Sequence, residues 1–144
     1  MCRQRLVAAL GAAFICALPV GALQSTMTEE EYGAAMTEIN FIVGDAELHI
    51  DARYWPELFE DLGKLRTQFE QVEAFWTARG SDEAAVFARD VIVGLGPIGT
   101  AGDEKDTQAA SRALREISGT CESCHEAFRE QGPDGYQIKQ GLRD

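Results

Sequence analysis

Five residues near the C-terminus carry the densest chemistry in the chain: Cys121-Glu122-Ser123-Cys124-His125. Two thiols spaced by two residues, with an imidazole directly after the second, form the attachment signature of a c-type haem. The thiols add across the two vinyl groups as thioethers. The imidazole ligates the iron from one side, leaving the other for a Met, a second His or nothing. On a helix, at about 100° per residue, Cys121, Cys124 and His125 fall within an arc of about 100° and can all face one porphyrin. Rival readings lack parts. A thioredoxin-like pair would follow a strand in a βαβ pattern, whereas Ala109 to Ser118 reads as helix. A structural zinc site wants four ligands, and outside the motif only His49 remains once the leader described below is removed. A disulfide would leave His125 without a role.

Four helices must position these groups. Thr28 with Glu31 three residues later is a capping box that opens the first. Met36, Ile39, Val43, Ala46 and Ile50 recur behind it at helical spacing, and the helix should end near residues 51–53. Pro56 suits the first turn of the second helix. There Leu58, Leu62, Leu65, Phe69, Val72 and Trp76 follow in alternating steps of four and three, the seam of a bundle. Arg79-Gly80 stops it. Ser81 or Asp82 caps a third, alanine-rich helix with core positions Ala84, Ala88, Val91, Ile92 and Leu95. Gly94, Gly96, Pro97, Gly99 and Gly102 should end it and form the longest connection. Asp103 or Asp106 starts the fourth helix, which carries Ala110, Ala113, Ile117, Cys121, Cys124 and Phe128 as far as Gln131-Gly132-Pro133. No strand pattern is visible. Trp76, Phe75 and Phe69 read as packing residues.

Short links make successive helices antiparallel, so the expected architecture is an all-α, up-down-up-down four-helix bundle. The end of the fourth helix then lies beside the start of the first. A group reaching the far face of an iron held by His125 must come from early in the first helix. Met36 is so placed, although a methionine on an apolar stripe is equally suited to filling core space. His49 lies roughly 20 Å farther along the axis, at 1.5 Å per residue, too far to serve the same iron. It reads as a partly exposed histidine at a helix end.

The N-terminus reads as an export leader. Met1 to Arg5 is basic, Leu6 to Leu18 is apolar, and Val20-Gly21-Ala22 offers small residues for cleavage after Ala22. Residues 1–22 are therefore expected to be a signal peptide and 23–144 a single domain. An apolar run of about 13 to 18 residues is short for a membrane span, so no membrane insertion of the mature form is expected. Cys2 and Cys16 leave with the leader, and both remaining cysteines sit in the motif. The full chain has 13 basic and 24 acidic residues. Loss of Arg3 and Arg5 leaves 11 basic against 24 acidic, a net charge of −13. That argues against nucleic acid and anionic membranes and favours basic docking partners.

Cys121-x-x-Cys124-His125-x-x-Phe128-Arg129, late in an exported four-helix chain, resembles the class II c-type cytochromes, the cytochrome c′ family. The likeness spans about Thr28 to Arg129, and its specific part is the motif and its location. It implies one covalent haem c on Cys121 and Cys124, His125 as proximal ligand, and Phe128 and Arg129 close by. In that family Met on the far face gives six-coordinate, low-spin electron carriers. Leu or Phe there gives five-coordinate members that bind nitric oxide or carbon monoxide. By position Met36 falls at that residue, so the resemblance implies His/Met ligation. One departure is Tyr32, four residues before Met36, where relatives often carry an Arg that partners the haem propionates. Arg129, one turn after His125, is then a candidate for that role, though an arginine also suits a helix C-terminus for its dipole alone.

The expectation is a periplasmic monohaem carrier of single electrons rather than an enzyme, working with redox partner proteins. The alternative is a haem protein that binds nitric oxide or carbon monoxide. A peroxidase would want a distal His and Arg, and the first helix offers neither near Met36. Relatives often pair through their first two helices, so a homodimer through an exposed Phe41 or Phe59 is expected. Whether Tyr136 to Lys139 folds back over the haem edge stays open.

Overall fold

A computed structural model describes residues 27–133 and 135–142. The expected leader, with Cys2, Cys16 and the cleavage point after Ala22, lies outside the described residues. Four helices dominate: α1 (Glu29–Ala52), α2 (Trp55–Ala78), α3 (Asp82–Asp103) and α4 (Thr107–Phe128). Two or three residues link each to the next, so neighbours must reverse direction. Cross-helix contacts agree. Glu29 at the start of α1 meets Arg79 at the end of α2, and Glu73 late in α2 pairs with Arg89 early in α3 at 2.8 Å. Phe87 early in α3 meets Phe128 at the end of α4, ring centroids 6.1 Å apart. The helices close into a ring in chain order, and α1 packs against α4 less closely than any other neighbours do. The antiparallel four-helix arrangement expected of the sequence is the one found.

Local chemistry sets the helix ends. Thr28 Oγ1 accepts from the Glu31 backbone N–H while the Glu31 carboxylate accepts from that of Thr28 at 2.7 Å, the reciprocal capping box. Asp106, not Asp103, caps α4, accepting from Ala109 at 2.9 Å. Gly80, at φ +69°, supplies the left-handed turn after α2. Every position of the α2 seam, from Leu58 to Trp76, is buried. Each such side chain contributes about 1.5–3 kcal/mol relative to exposure.

Two expectations fail. The third helix does not end at its glycines but runs through Gly94, Gly96, Pro97, Gly99 and Gly102 to Asp103. The apolar positions Leu95, Ile98 and Ala101 continue the core stripe and are buried, with Ile98 wholly inaccessible. Burial outweighs the helix-breaking tendency of the intervening residues. Pro97, which has no N–H to give the Val93 carbonyl, lies with Val93 on the exposed side of the helix. Two of the glycines are packing devices: a Cβ at Gly94 would stand 3.0 Å from Ile117 Cγ1, and one at Gly102 3.2 Å from Phe59 Cζ.

The fourth helix stops three residues earlier than expected, and a hairpin follows where the sequence shows no strand pattern. Strand β1 (Arg129–Gly132) pairs antiparallel with β2 (Gly135–Ile138), in register from Arg129↔Ile138 to Gly132↔Gly135. Gly135 takes φ +127°, open to glycine. Gly132 leaves room for the Gln137 side chain, which would lie 2.6 Å from any Cβ there. Ile138 is buried, and the Lys139 N–H donates to the Phe128 carbonyl at 3.0 Å, so the hairpin folds back onto the end of α4.

Candidate functional site

The buried faces of α1 and α4 are interrupted at one end of the bundle. On α1, Ile39, Ile42, Ala46 and Ile50 are sealed in the core, while Met36 and Val43 are only half-buried. On α4, Ala110, Ala113, Ile117 and Phe128 are buried, while Cys121 and Cys124 are half-buried. These incompletely covered positions face each other across a cavity of about 240 Å³. Its walls bring together Met36 from α1 and Cys121, Cys124 and His125 from α4. Ile39, Val43, Phe69, Val72, Val91 and Ile117 make the rest of the lining largely apolar, and Ala84 and Ala88 keep the α3 side shallow. A second, wider space of about 600 Å³ borders Tyr32, Met36, Asn40, Cys124 and His125 as well. It continues outward past Phe128 and Arg129 to Tyr136, Gln137 and Ile138 of the hairpin. Together they exceed the lower bound of about 300 Å³ for small-molecule sites, and the mix of apolar wall and few polar groups is typical of them.

Electrostatics at this end favour neutral groups. The thiols are free of disulfide. Burial first, then the neighbouring Cys121, pushes the Cys124 thiol up to about 11. Burial, then the charge of Glu122, raises that of Cys121. Burial and then the Arg129 guanidinium lower the His125 imidazole. A neutral imidazole keeps a lone pair for a metal. Tyr32 is pushed up to about 12, by burial first and Cys124 second.

The aromatic residues expected only to pack build the floor. Tyr32 stacks on Phe75 with centroids 4.4 Å apart and meets Trp76 edge-on at 5.6 Å. Trp76 in turn lies 5.4 Å from Phe128. The Arg79 guanidinium sits 3.7 Å over the Phe75 ring. Trp76 Nε1 is buried without a hydrogen-bond partner among the described residues. The Arg129 guanidinium lies 4.0 Å over Tyr136, so the hairpin holds it at the mouth of the wider space.

All four residues expected to hold a cofactor therefore border one cavity, with Tyr32, Phe128 and Arg129 around its outer continuation. His49 lies apart. In the last turn of α1 its Nδ1 bonds the buried Asp61 carboxylate at 2.6 Å, with Lys64 Nζ 3.4 Å from the other oxygen. Sequence reasoning missed Asn40, Phe87 and Asp61, and left open where Tyr136 lies. Asn40 had a signal, falling one turn after Met36 on the same face; Asp61 had none, because only its neighbours show that it is buried.

The donors present suit a haem: two unoxidised thiols at the attachment spacing, a neutral imidazole, a facing thioether and an apolar wall. No protein-family model, curated protein or solved structure matches the chain.

Proposed function

We propose that this chain is an exported, periplasmic c-type cytochrome that carries single electrons between redox partner proteins, and not an enzyme. Cys121 and Cys124 would anchor one haem c, and His125 and Met36 would ligate its iron. One observation carries the reading: a thioether from the start of α1 and the Cys/Cys/His set from the end of α4 border the same apolar cavity. When bound, the haem supplies Fe(III)/Fe(II) cycling, and a His/Met pair raises its reduction potential.

The chain's own residues do the rest. Ile39, Val43, Val91 and Ile117 exclude water from the iron's surroundings. Burial keeps His125 unprotonated and ready to donate its lone pair. Carried on α1 and α4, the thioether and the imidazole would hold the iron from two packed helices. Arg129, stacked on Tyr136 at the outer space, presents positive charge to the cofactor's carboxylates.

Optical spectra of the purified, reduced protein test the reading. A low-spin spectrum unaltered by carbon monoxide is expected. Met36→Leu should convert it to a five-coordinate spectrum that carbon monoxide shifts. A five-coordinate wild type would remove Met36 from the iron and favour the gas-binding alternative. A colourless protein, from a host able to attach haem, would overturn the cofactor itself.

A further inference from the structure

The outer face of α1 is one-sided in its charge. Over 24 residues the helix carries seven acidic side chains and no Lys or Arg. At about 100° per residue, Glu30, Thr37, Glu38, Phe41, Asp45 and Leu48 fall within an arc of about 100°, and all six are exposed. Phe41 and Leu48 stand 63% and 66% exposed, and seven residues put them about 10 Å apart along the axis. A lone exposed apolar side chain needs no explanation. Two of them in line on one face, interleaved with carboxylates, make an apolar centre inside a polar rim, the anatomy of a contact surface.

Charge decides what this face fits. A second copy would bring the same acidic helix to a two-fold contact, and like charges set against each other count against that pairing. A basic protein meets opposite charge and is steered in as it approaches. Position ties the face to the cavity. Glu30 and Thr37 also border the wider space, and Asn40, beside Phe41, borders both spaces. Arg129 stands on the hairpin side of that space and turns a basic partner towards α1. On the opposite flank Glu31, Glu38, Gln68 and Gln71 line a groove shared with α2, with no Lys or Arg among its described lining residues. A protein seated here is kept from the cavity by the width of one helix, about 10–12 Å. We infer that the outer face of α1 docks a basic protein carrying a one-electron redox centre, with Phe41 and Leu48 as apolar contacts and Glu38 and Asp45 meeting its lysines or arginines. This inference rests on the electron-carrier reading: one electron leaves the ferrous iron and reduces the partner's oxidised centre, and no bond or proton is transferred.

Isothermal titration of the exported holoprotein with mitochondrial cytochrome c, a small basic redox protein, at low ionic strength tests the face. The double variant Glu38→Gln/Asp45→Asn removes two charges from α1. The double variant Glu83→Gln/Asp90→Asn removes two exposed charges from α3, across the bundle. All four substitutions lie on solvent-facing positions, and far-UV circular dichroism verifies the fold. The α1 pair should weaken binding about fivefold, and the α3 pair should leave it nearly unchanged. Phe41→Ala should also cost about fivefold, with its dependence on salt unaltered. Equal losses in the two double variants, or no measurable binding by a coloured wild type, overturn the inference and leave the electron-carrier reading standing. An unweakened Phe41→Ala overturns it too, because binding through charge alone has no need of the apolar centre. Sedimentation that finds wild-type copies paired on this face, and parted by Phe41→Glu, gives the face to a second copy and overturns it as well. A colourless wild type refutes the haem reading, and the redox partner with it.

Discussion

Met36 shares a helical face with Ile39 and Val43, and all three line the cavity, but Met36 is only half-buried whereas Ile39 is buried. On the proposed function, Met36→Leu should therefore change the iron's coordination and leave the bundle folded. Tyr32 offers a second residue-level handle, in haem-free chain where Cys124 is still a thiol. Its folded phenol titrates at about 12, and unfolding returns it to about 10. The unfolded chain therefore gives up the proton first, and stability held below pH 10 is lost as pH rises towards 12. Tyr32→Phe should flatten this alkaline loss in thermal melts across that range; an unchanged alkaline limb would contradict the burial. At this scale the motif was legible because its residue types and spacing are local. The Trp76–Tyr32–Phe75 stack was not. Phe75 stands off the α2 seam, and the ring stacked on it, Tyr32, comes from another helix.

Elements were legible where periodicity and caps agreed, as in α2 and at Thr28. They were misread where they disagreed. In α3 the stripe Leu95, Ile98 and Ala101 argued for helix while Gly94, Gly96, Pro97, Gly99 and Gly102 argued for a loop, and only the core could decide. The glycines now sort themselves by environment. A Cβ at Gly99 meets only ordinary contacts, Leu62 and Phe59 at 3.9 Å, whereas at Gly94 it would press on Ile117. Gly99→Ala should therefore raise stability by about 0.5–1 kcal/mol through helix propensity. Gly94→Ala should fall short of that by the cost of moving Ile117 or parting α3 from α4. Thermal or denaturant melts of the two variants give the comparison; equal gains would show that α3 and α4 are not held this closely. The hairpin escaped notice because four-residue strands carry little alternation, and its stability comes from Ile138 and Lys139 meeting the end of α4.

For the whole molecule, short links and one clean seam were enough to read the ring of four helices. The cavity was not legible, because it arises from how far α1 stands from α4 and not from any one helix. On the proposed function, the acidic chain should exchange electrons with a basic partner in a salt-sensitive way. Its rate should fall as ionic strength rises, since screening shortens to about 8 Å at 0.15 M; stopped-flow measurements across a salt series would reveal a flat dependence if docking is not electrostatic. Phe41 and Leu48 stand 63% and 66% exposed, one heptad apart on α1, whereas Phe59 partly covers Gly102. If copies of the chain pair through α1, Phe41→Glu should weaken that pairing in sedimentation experiments more than Phe59→Glu does. The seams are unequal in one further respect. The bond between His49 and Asp61 fastens α1 to α2 at the end away from the thiols, while Glu29 and Arg79 at the near end approach only to 4.0 Å. If the chain takes a haem, α1 would be the helix to part from α4 and admit so bulky a guest, since those two pack least closely, with the His49–Asp61 bond still holding α1 to α2 at the far end.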